Sequence, residues 1–250
     1  MIELVNVRKR FDSRWVTNGV TLSIPQGKMT IIIGRSGEGK SILLKQIIGL
    51  IKPTSGQILI DDIDATKAHN RELIFKKVGY VFQSAALLDS LTVFENIGLP
   101  LLENGLKPQD ILPIVKEKLA LVNLTDDTLY KYPSELSGGM QKRIGLARTL
   151  IHNPQIMLYD EPTTGLDPVN ARIVHELMAS MQKKLNLTSV VVSHDIDVFQ
   201  YADYVALLQD GAIKYFGNAS EVWNSNNPDL YRFIRGLTKK PAHQWYQPSA

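Results

Sequence analysis

The sequence contains no cysteine. Disulfides, thiolate metal centres and a cysteine nucleophile are therefore excluded, and the composition fits a reducing compartment. No uninterrupted apolar stretch approaches the roughly 18 residues a bilayer crossing needs. The basic cluster within residues 1–11 has no apolar run behind it, so neither a spanning helix nor a secretory leader is expected. Excess charge is missing too. With 28 Lys+Arg against 25 Asp+Glu the formal charge is +3, without long like-charge blocks, so no nucleic-acid partner is expected. Internal repeats and low-complexity tracts are absent. What remains is a chain of 250 residues, 44% apolar, enough for one or two domains with a sizeable core.

Residues 2–7 and 20–24 alternate apolar with polar side chains and predict half-buried antiparallel strands near the start. Residues 29–33 form a short β-branched run ending in Gly34; after a glycine-rich stretch, residues 42–48 are apolar at helical spacing and close on Gly49 and Pro53. Two more buried-strand candidates, 156–159 and 189–193, lead into Asp160-Glu161 and His194. Alternating with helices such as 169–185, they predict a mainly parallel sheet covered by helices on both faces, with its active edge at the C-terminal strand ends. Between the strand 78–82 and the strand at 156 only helical patterns occur (92–97, 108–122, 140–151), which predicts an inserted helical subdomain at about 84–154. Asp210-Gly211 between two apolar runs predicts a hairpin. From Thr238 periodicity disappears, and residues 238–250 are expected to be a flexible tail or a partner-binding peptide anchored by Trp245 and Tyr246.

Gly34-Arg35-Ser36-Gly37-Glu38-Gly39-Lys40-Ser41 matches G-x-x-x-x-G-K-[ST] after a strand and at the start of a helix. Glycines let successive amides point inward, and the helix adds its positive end to the phosphate cradle. Lys40 is placed to reach the β and γ phosphates, and Ser41 to put its hydroxyl on magnesium. The negative charge of Glu38 in an anion site requires its carboxylate to point out to solvent. Multiplying residue frequencies gives on the order of one chance match per hundred chains of this length, before strand and helix are demanded.

Hydrolysis needs a carboxylate to orient water as well. At the end of the run 156–159, Asp160 can hold magnesium through water while Glu161 polarises the attacking water. Without the phosphate loop the same Asp-Glu-Pro would be an ordinary solvated turn. His194 and Gln83 end the other buried strands on that edge. Either residue type is commonly structural in such a position, but here His194 falls beside the expected γ phosphate, and Gln83 can ligate magnesium or touch the water. Leu136-Ser137-Gly138-Gly139 is a second glycine-bearing turn opening a helix. Taken alone, Ser137 would merely cap that helix; with the phosphate loop about a hundred residues away, it is a second anion site that another subunit's nucleotide could use.

The phosphate loop, Gln83, Leu136-Ser137-Gly138-Gly139, Asp160-Glu161, Gly165-Leu166-Asp167 and His194, in this order, resemble the nucleotide-binding subunit of an ABC transporter over about residues 2–237. More narrowly, the stretch 81–97 and Met140, where most of the wider family carries Gln, resemble the ATPases of Mla and Mce lipid-trafficking systems. The resemblance implies a P-loop NTPase fold: a RecA-like parallel sheet, an N-terminal antiparallel β subdomain and the inserted helices, with residues 1–237 as the ATPase domain. It also implies a Mg²⁺-dependent ATPase and a head-to-tail dimer of two copies. Each ATP would be held by Gly34–Ser41 of one chain and Ser137, Gly138 and Gly139 of the other, with Asp167 across the seam.

By the same resemblance an aromatic near the start stacks on adenine, by position Phe11, with Trp15 in reserve. The apolar stretch 84–102 next to Gln83 fits a groove for a short helix of a membrane permease, the rest of it being core. A small regulatory subunit is a further partner to expect. The implied location is cytoplasmic, peripheral on the inner membrane, and the implied cargo phospholipid or a related hydrophobic molecule. Two departures stand out: Met140 cannot make the hydrogen bonds of Gln, and Thr164-Gly165-Leu166-Asp167 replaces the more usual Ser-Ala-Leu-Asp while keeping Asp167. A rival is a non-transport ABC ATPase acting on ribosomes or DNA, which usually carries two cassettes or a long coiled coil; a second is a nucleotide-binding regulator without turnover, against which Glu161 and His194 speak.

Overall fold

In a computed structural model of the chain, residues 1–237 are described, and the expectation made for 238–250 lies outside them. Strands β1 (Ile2–Phe11), β2 (Arg14–Ile24), β4 (Ser55–Ile60) and β5 (Ile63–Asp64) form an antiparallel sheet in the order β2-β1-β4-β5. A second sheet is ordered β10-β9-β3-β8-β7-β6, from β3 (Met29–Ile33), β6 (Val78–Val81), β7 (Ile156–Asp160), β8 (Thr188–Ser193), β9 (Tyr204–Gln209) and β10 (Ala212–Asn218). Its strands pair in parallel except at β9–β10, the hairpin that turns on Asp210-Gly211. This is the α/β P-loop NTPase architecture.

Period-two alternation decides what each face of the parallel sheet covers. Ile31, Ile33, Met157, Tyr159 and Val191 point into one core with α3 (Val93–Glu103), α4 (Pro108–Leu121), α5 (Gly138–Thr149) and α6 (Pro168–Leu185). Ile32, Ile156, Leu158, Val190 and Val192 point into the other, with α1 (Lys40–Ile47), α2 (Arg71–Lys77) and the apolar faces of β1, β2 and β4. The sequence patterns predict helices on both faces; the second face is instead shared between helices and the antiparallel sheet. Both layers are possible because the strands are buried throughout and present β-branched side chains to either side.

Only helices and irregular chain lie between β6 and β7. The first of them, α3, is fixed at its start by a capping box: Thr92 Oγ1 accepts from the Glu95 amide, and the Thr92 amide donates to Glu95 Oε2 at 2.8 Å. The segment just before it is pinned by buried Asn96, whose Nδ2 donates to the carbonyls of Leu88, Leu91 and Thr92. Arg148 on α5 donates to the carbonyls of Ala85 and Ala86, and Lys142 to that of Gln83. The turn after β6 is therefore fastened to α5. Within 84–102, Val93 and Ile97 are core, whereas Leu88 is exposed.

Candidate active site

Parallel pairing brings four strand ends to one edge. Ile33 is level with Ser193, Asp160 with Val192, and Val81 with Tyr159, so Gly34, His194, Glu161 and the Phe82-Gln83 turn all emerge together. The loop after β3 turns into α1 at Gly39, whose φ of 93° suits glycine and where a Cβ would lie 2.5 Å from Val16 Cγ1. Buried Lys40 folds its ammonium back over the loop, donating to the carbonyls of Gly34 (2.9 Å) and Arg35 (3.1 Å). Its Nζ also lies 3.6 Å from Glu161 Oε1. Burial lowers the Lys40 pKa, and the Glu161 carboxylate opposes that shift.

Ser41 Oγ donates to Asp160 Oδ1 at 2.6 Å, and Tyr80, buried on β6, donates to Asp160 Oδ2 at 2.7 Å. Both carboxylate oxygens are thus engaged, Asp160 itself being buried. Glu161 follows in the left-handed region at φ 46°, uncommon for a residue with a side chain. That turn is held by its amide, which donates to Val192 O, and by Thr164 Oγ1, which donates to Glu161 Oε2. His194 Nδ1 stands 3.5 Å from the same Oε2, with its ring largely exposed. The chain thus gathers Lys40, Ser41, Asp160, Glu161 and His194 at one place. Gln83 is at the same edge, but its side chain is exposed and bonds neither Asp160 nor Glu161; its carbonyl accepts from Lys142.

Two details differ from the sequence expectation. Glu38 does not hang free: in an exposed setting its Oε2 accepts from the Asp210 amide at 2.8 Å, which ties the loop to the β9–β10 hairpin. A small pocket beside Ser36 and Gly37 is lined by Trp15, not by Phe11. Arg35, a variable position of the motif, donates to the carbonyl of Leu237, after α7 (Pro228–Ile234). The bond between Tyr80 and Asp160 was not visible in the sequence, because nothing in the letters links the two.

The second glycine turn forms as a cap. Ser137 Oγ accepts from the Met140 amide, opening α5, and Met140 packs on the core. Gly139 is buried against α6: a Cβ there would lie 2.5 Å from Asn170 Oδ1. Asn170 Nδ2 donates to Asp167 Oδ2, and Asp167 Oδ1 caps α6 by accepting the Val169 and Asn170 amides. Gly139 and Asp167 therefore share one neighbour. The cleft that contains Gly34–Ser36, Glu161 and His194 contains none of Ser137, Gly138 and Gly139. Leu166, which lines that cleft, is the neighbour that a Cβ on Gly138 would meet, at 3.8 Å.

The family model described as ABC transporter matches residues 17–164. The chain belongs to the ABC transporter ATP-binding family. This cassette is 38% identical over 239 residues to the probable ribonucleotide transport ATP-binding protein mkl of Mycobacterium tuberculosis, covering 94% of the chain and 66% of that protein. It thus spans just under two thirds of the length of that relative. It is 36% identical over 250 residues to the intermembrane phospholipid transport system ATP-binding protein MlaF of Haemophilus influenzae, covering 98% and 94%. Among solved structures it resembles a dimeric, post-hydrolysis state of the ATP-binding cassette MJ0796 bound to ADP and Pi: TM-score 0.79, 32% identity, 88% of this chain and 99% of that one. Like other members of its ATPase family, the cassette binds ATP. No helix among its described residues is long and apolar enough to cross a membrane.

The donor set fits a magnesium–nucleotide. A hydroxyl (Ser41) and a carboxylate (Asp160), both hard oxygen ligands, meet at 2.6 Å beside a buried ammonium. Among the described residues no cluster of three His, Cys, Asp or Glu could hold a metal ion without the nucleotide's own oxygens.

Proposed function

We propose that this cassette is the Mg²⁺-dependent ATPase of a transporter that moves phospholipid or a related hydrophobic molecule. Residues 1–237 act as the nucleotide-binding domain and 84–154 as its inserted helical subdomain. The observation that carries the chemistry is the convergence of Lys40, Ser41, Asp160, Glu161 and His194 at one sheet edge. Lys40 and the loop amides from Gly34 to Ser41 hold the phosphates. Magnesium supplies charge neutralisation there, held by Ser41 and Asp160, with Gln83 near the metal and water. Glu161 accepts the proton of the attacking water, and His194, within reach of the same carboxylate, holds the γ-phosphate end in place.

That Ser137, Gly138 and Gly139 do not line the cleft beside Gly34–Ser36 supports a sandwich of two copies, in which the turn of one chain covers the nucleotide of the other. Asp167 then sits at the seam. The dimeric state of MJ0796 supports the same arrangement. A membrane permease docks at the surface beside Gln83, where Phe82 is an exposed aromatic and the turn is fastened to α5 through Lys142 and Arg148. Docking there places the cassette on the cytoplasmic face of the inner membrane, with room for a small regulatory subunit. The phospholipid assignment draws its support from MlaF, which is matched nearly end to end.

Glu161→Gln separates binding from turnover. With ATP and Mg²⁺ the variant should release phosphate at least about 100-fold more slowly, as expected for loss of a general base, yet accumulate as a dimer on a sizing column. Wild-type turnover by the variant would remove the assignment. Lipids retained by the purified whole complex test the cargo.

A further inference from the structure

Tyr80 lies on β6, three residues before Gln83, and is buried although it carries a hydroxyl. That hydroxyl donates to Asp160 Oδ2 at 2.7 Å while Ser41 Oγ donates to Oδ1 at 2.6 Å. The carboxylate is gripped on both oxygens, from α1 on one side and from the strand leading to Gln83 on the other. Phenol is a suitable arm for this. It has few torsions to freeze, and in a buried setting its O–H must find an acceptor. The ring also packs against Phe82, centroids 4.7 Å apart and tilted by 55°. Phe82 is 44% exposed, at the mouth of the groove that Ser84, Ala85 and Lys142 also line.

We propose that Tyr80 is a positioning residue whose hydroxyl sets the rotation of Asp160 toward a magnesium–nucleotide and whose ring ties that rotation to the Phe82-Gln83 turn. The inference rests on the ATPase reading above and adds a path from the groove to the metal. Whatever presses on Phe82 tilts the phenol, and the phenol carries Asp160 with it. Ser41 alone fixes one oxygen and leaves the carboxylate free to turn about its Cβ–Cγ bond; the second hydroxyl removes that freedom.

The test measures binding of Mn²⁺, as a spin-active stand-in for Mg²⁺, to the purified full chain at saturating ADP, so that turnover plays no part. Tyr80→Phe keeps the ring and deletes the hydroxyl. Mn²⁺ affinity should fall about 10-fold, the lower end for losing a group that orients a metal ligand, while ADP affinity in EDTA stays within about twofold of wild type, as does the wild-type circular dichroism spectrum. Phe82→Ala leaves the hydroxyl in place and should weaken Mn²⁺ about two- to threefold in the same direction. Unchanged Mn²⁺ affinity in Tyr80→Phe overturns the role of the hydroxyl, and unchanged affinity in Phe82→Ala overturns the link to the turn. If the unchanged chain binds no ADP, the ATPase reading fails and this inference with it; that result is distinguishable because all three proteins then behave alike.

Discussion

The ammonium of Lys40 and the carboxylate of Glu161 stand 3.6 Å apart, on elements separated by more than a hundred residues. Lys40 is 4% exposed and Glu161 only partly exposed, so without nucleotide each is the other's principal counter-charge. In the proposed ATPase, incoming phosphates would take over the ammonium and release Glu161 toward water. Replacing Lys40 by Ala should therefore weaken ATP binding by about 2–3 kcal/mol, roughly 30- to 150-fold, the range for losing charge-assisted hydrogen bonds. Isothermal titration with ATP and Mg²⁺ reads this directly. A variant that binds within threefold of wild type would contradict the phosphate-loop role.

The pocket beside Ser36 and Gly37 is walled by Trp15 and closed on the other side by Asp210-Gly211. Phe11, near the β1–β2 turn, has Lys9 over its ring at 4.9 Å, and Arg10 stands 5.5 Å from the Trp15 ring. Both aromatics are about equally exposed, so location decides between them. Trp15→Ala should cost about 1–3 kcal/mol of ATP affinity, the usual worth of a base stacked on an aromatic ring. Phe11→Ala should cost less than about 0.5 kcal/mol, as for surface changes away from a site. Quenching of tryptophan fluorescence by ATP, absent in Trp15→Phe, provides a second reading; the reverse ranking of the two alanine variants would return the base to Phe11.

What could be seen in the letters was whatever is local. The phosphate loop is eight consecutive residues, and Asp160 and His194 each end a short apolar run, so their placement followed from the rule that parallel strands deliver their C-terminal ends to one edge. Contacts across the fold were hidden. Glu38 meets an amide 172 positions away, and Tyr80 meets Asp160 80 positions away. Strands β4 and β5 escaped notice because Ser55-Gly56-Gln57 is polar and the turn between them uses Asp61 and Asp62, at φ 47° and 63°, where a glycine would have signalled it. The choice between Phe11 and Trp15 stayed open in the sequence because register shifts along β1–β2 make spacing from the phosphate loop a poor guide.

Gly139 is a point of close approach between α5 and α6. A methyl group there would meet Asn170 Oδ1 at 2.5 Å, and Asn170 cannot retreat without releasing Asp167. Gly139→Ala should destabilise the chain by about 1–3 kcal/mol through overpacking, measured by urea denaturation. Asn170→Ala makes room for the methyl group, so the double variant should be less destabilised than the sum of the two single changes. Strict additivity would mean that the two residues do not press on each other.

His175 makes stability depend on pH near neutrality. Its ring is 3% exposed, packs against Tyr201 at 5.7 Å, and its Nε2 has no hydrogen-bond partner. Burial lowers its pKa, while the carboxylates of Asp195 and Asp197 pull the other way without overcoming it. In the folded chain the ring stays neutral where an unfolded histidine, with an ordinary value near about 6.5, has begun to take up a proton. The unfolded state then binds more protons, so stability contributed by this residue is complete above about pH 6.5 and is lost as pH falls toward the lower folded value. His175→Phe keeps a flat ring in the same space and removes the titration. The difference in urea midpoint between pH 7.5 and pH 5.5 should shrink in the variant, and stability at pH 7.5 should hold or rise, since a buried nitrogen without a partner costs about 1–3 kcal/mol. The chain's four other histidines are common to both proteins and cancel in the comparison. An undiminished midpoint difference would show that the acid sensitivity arises elsewhere.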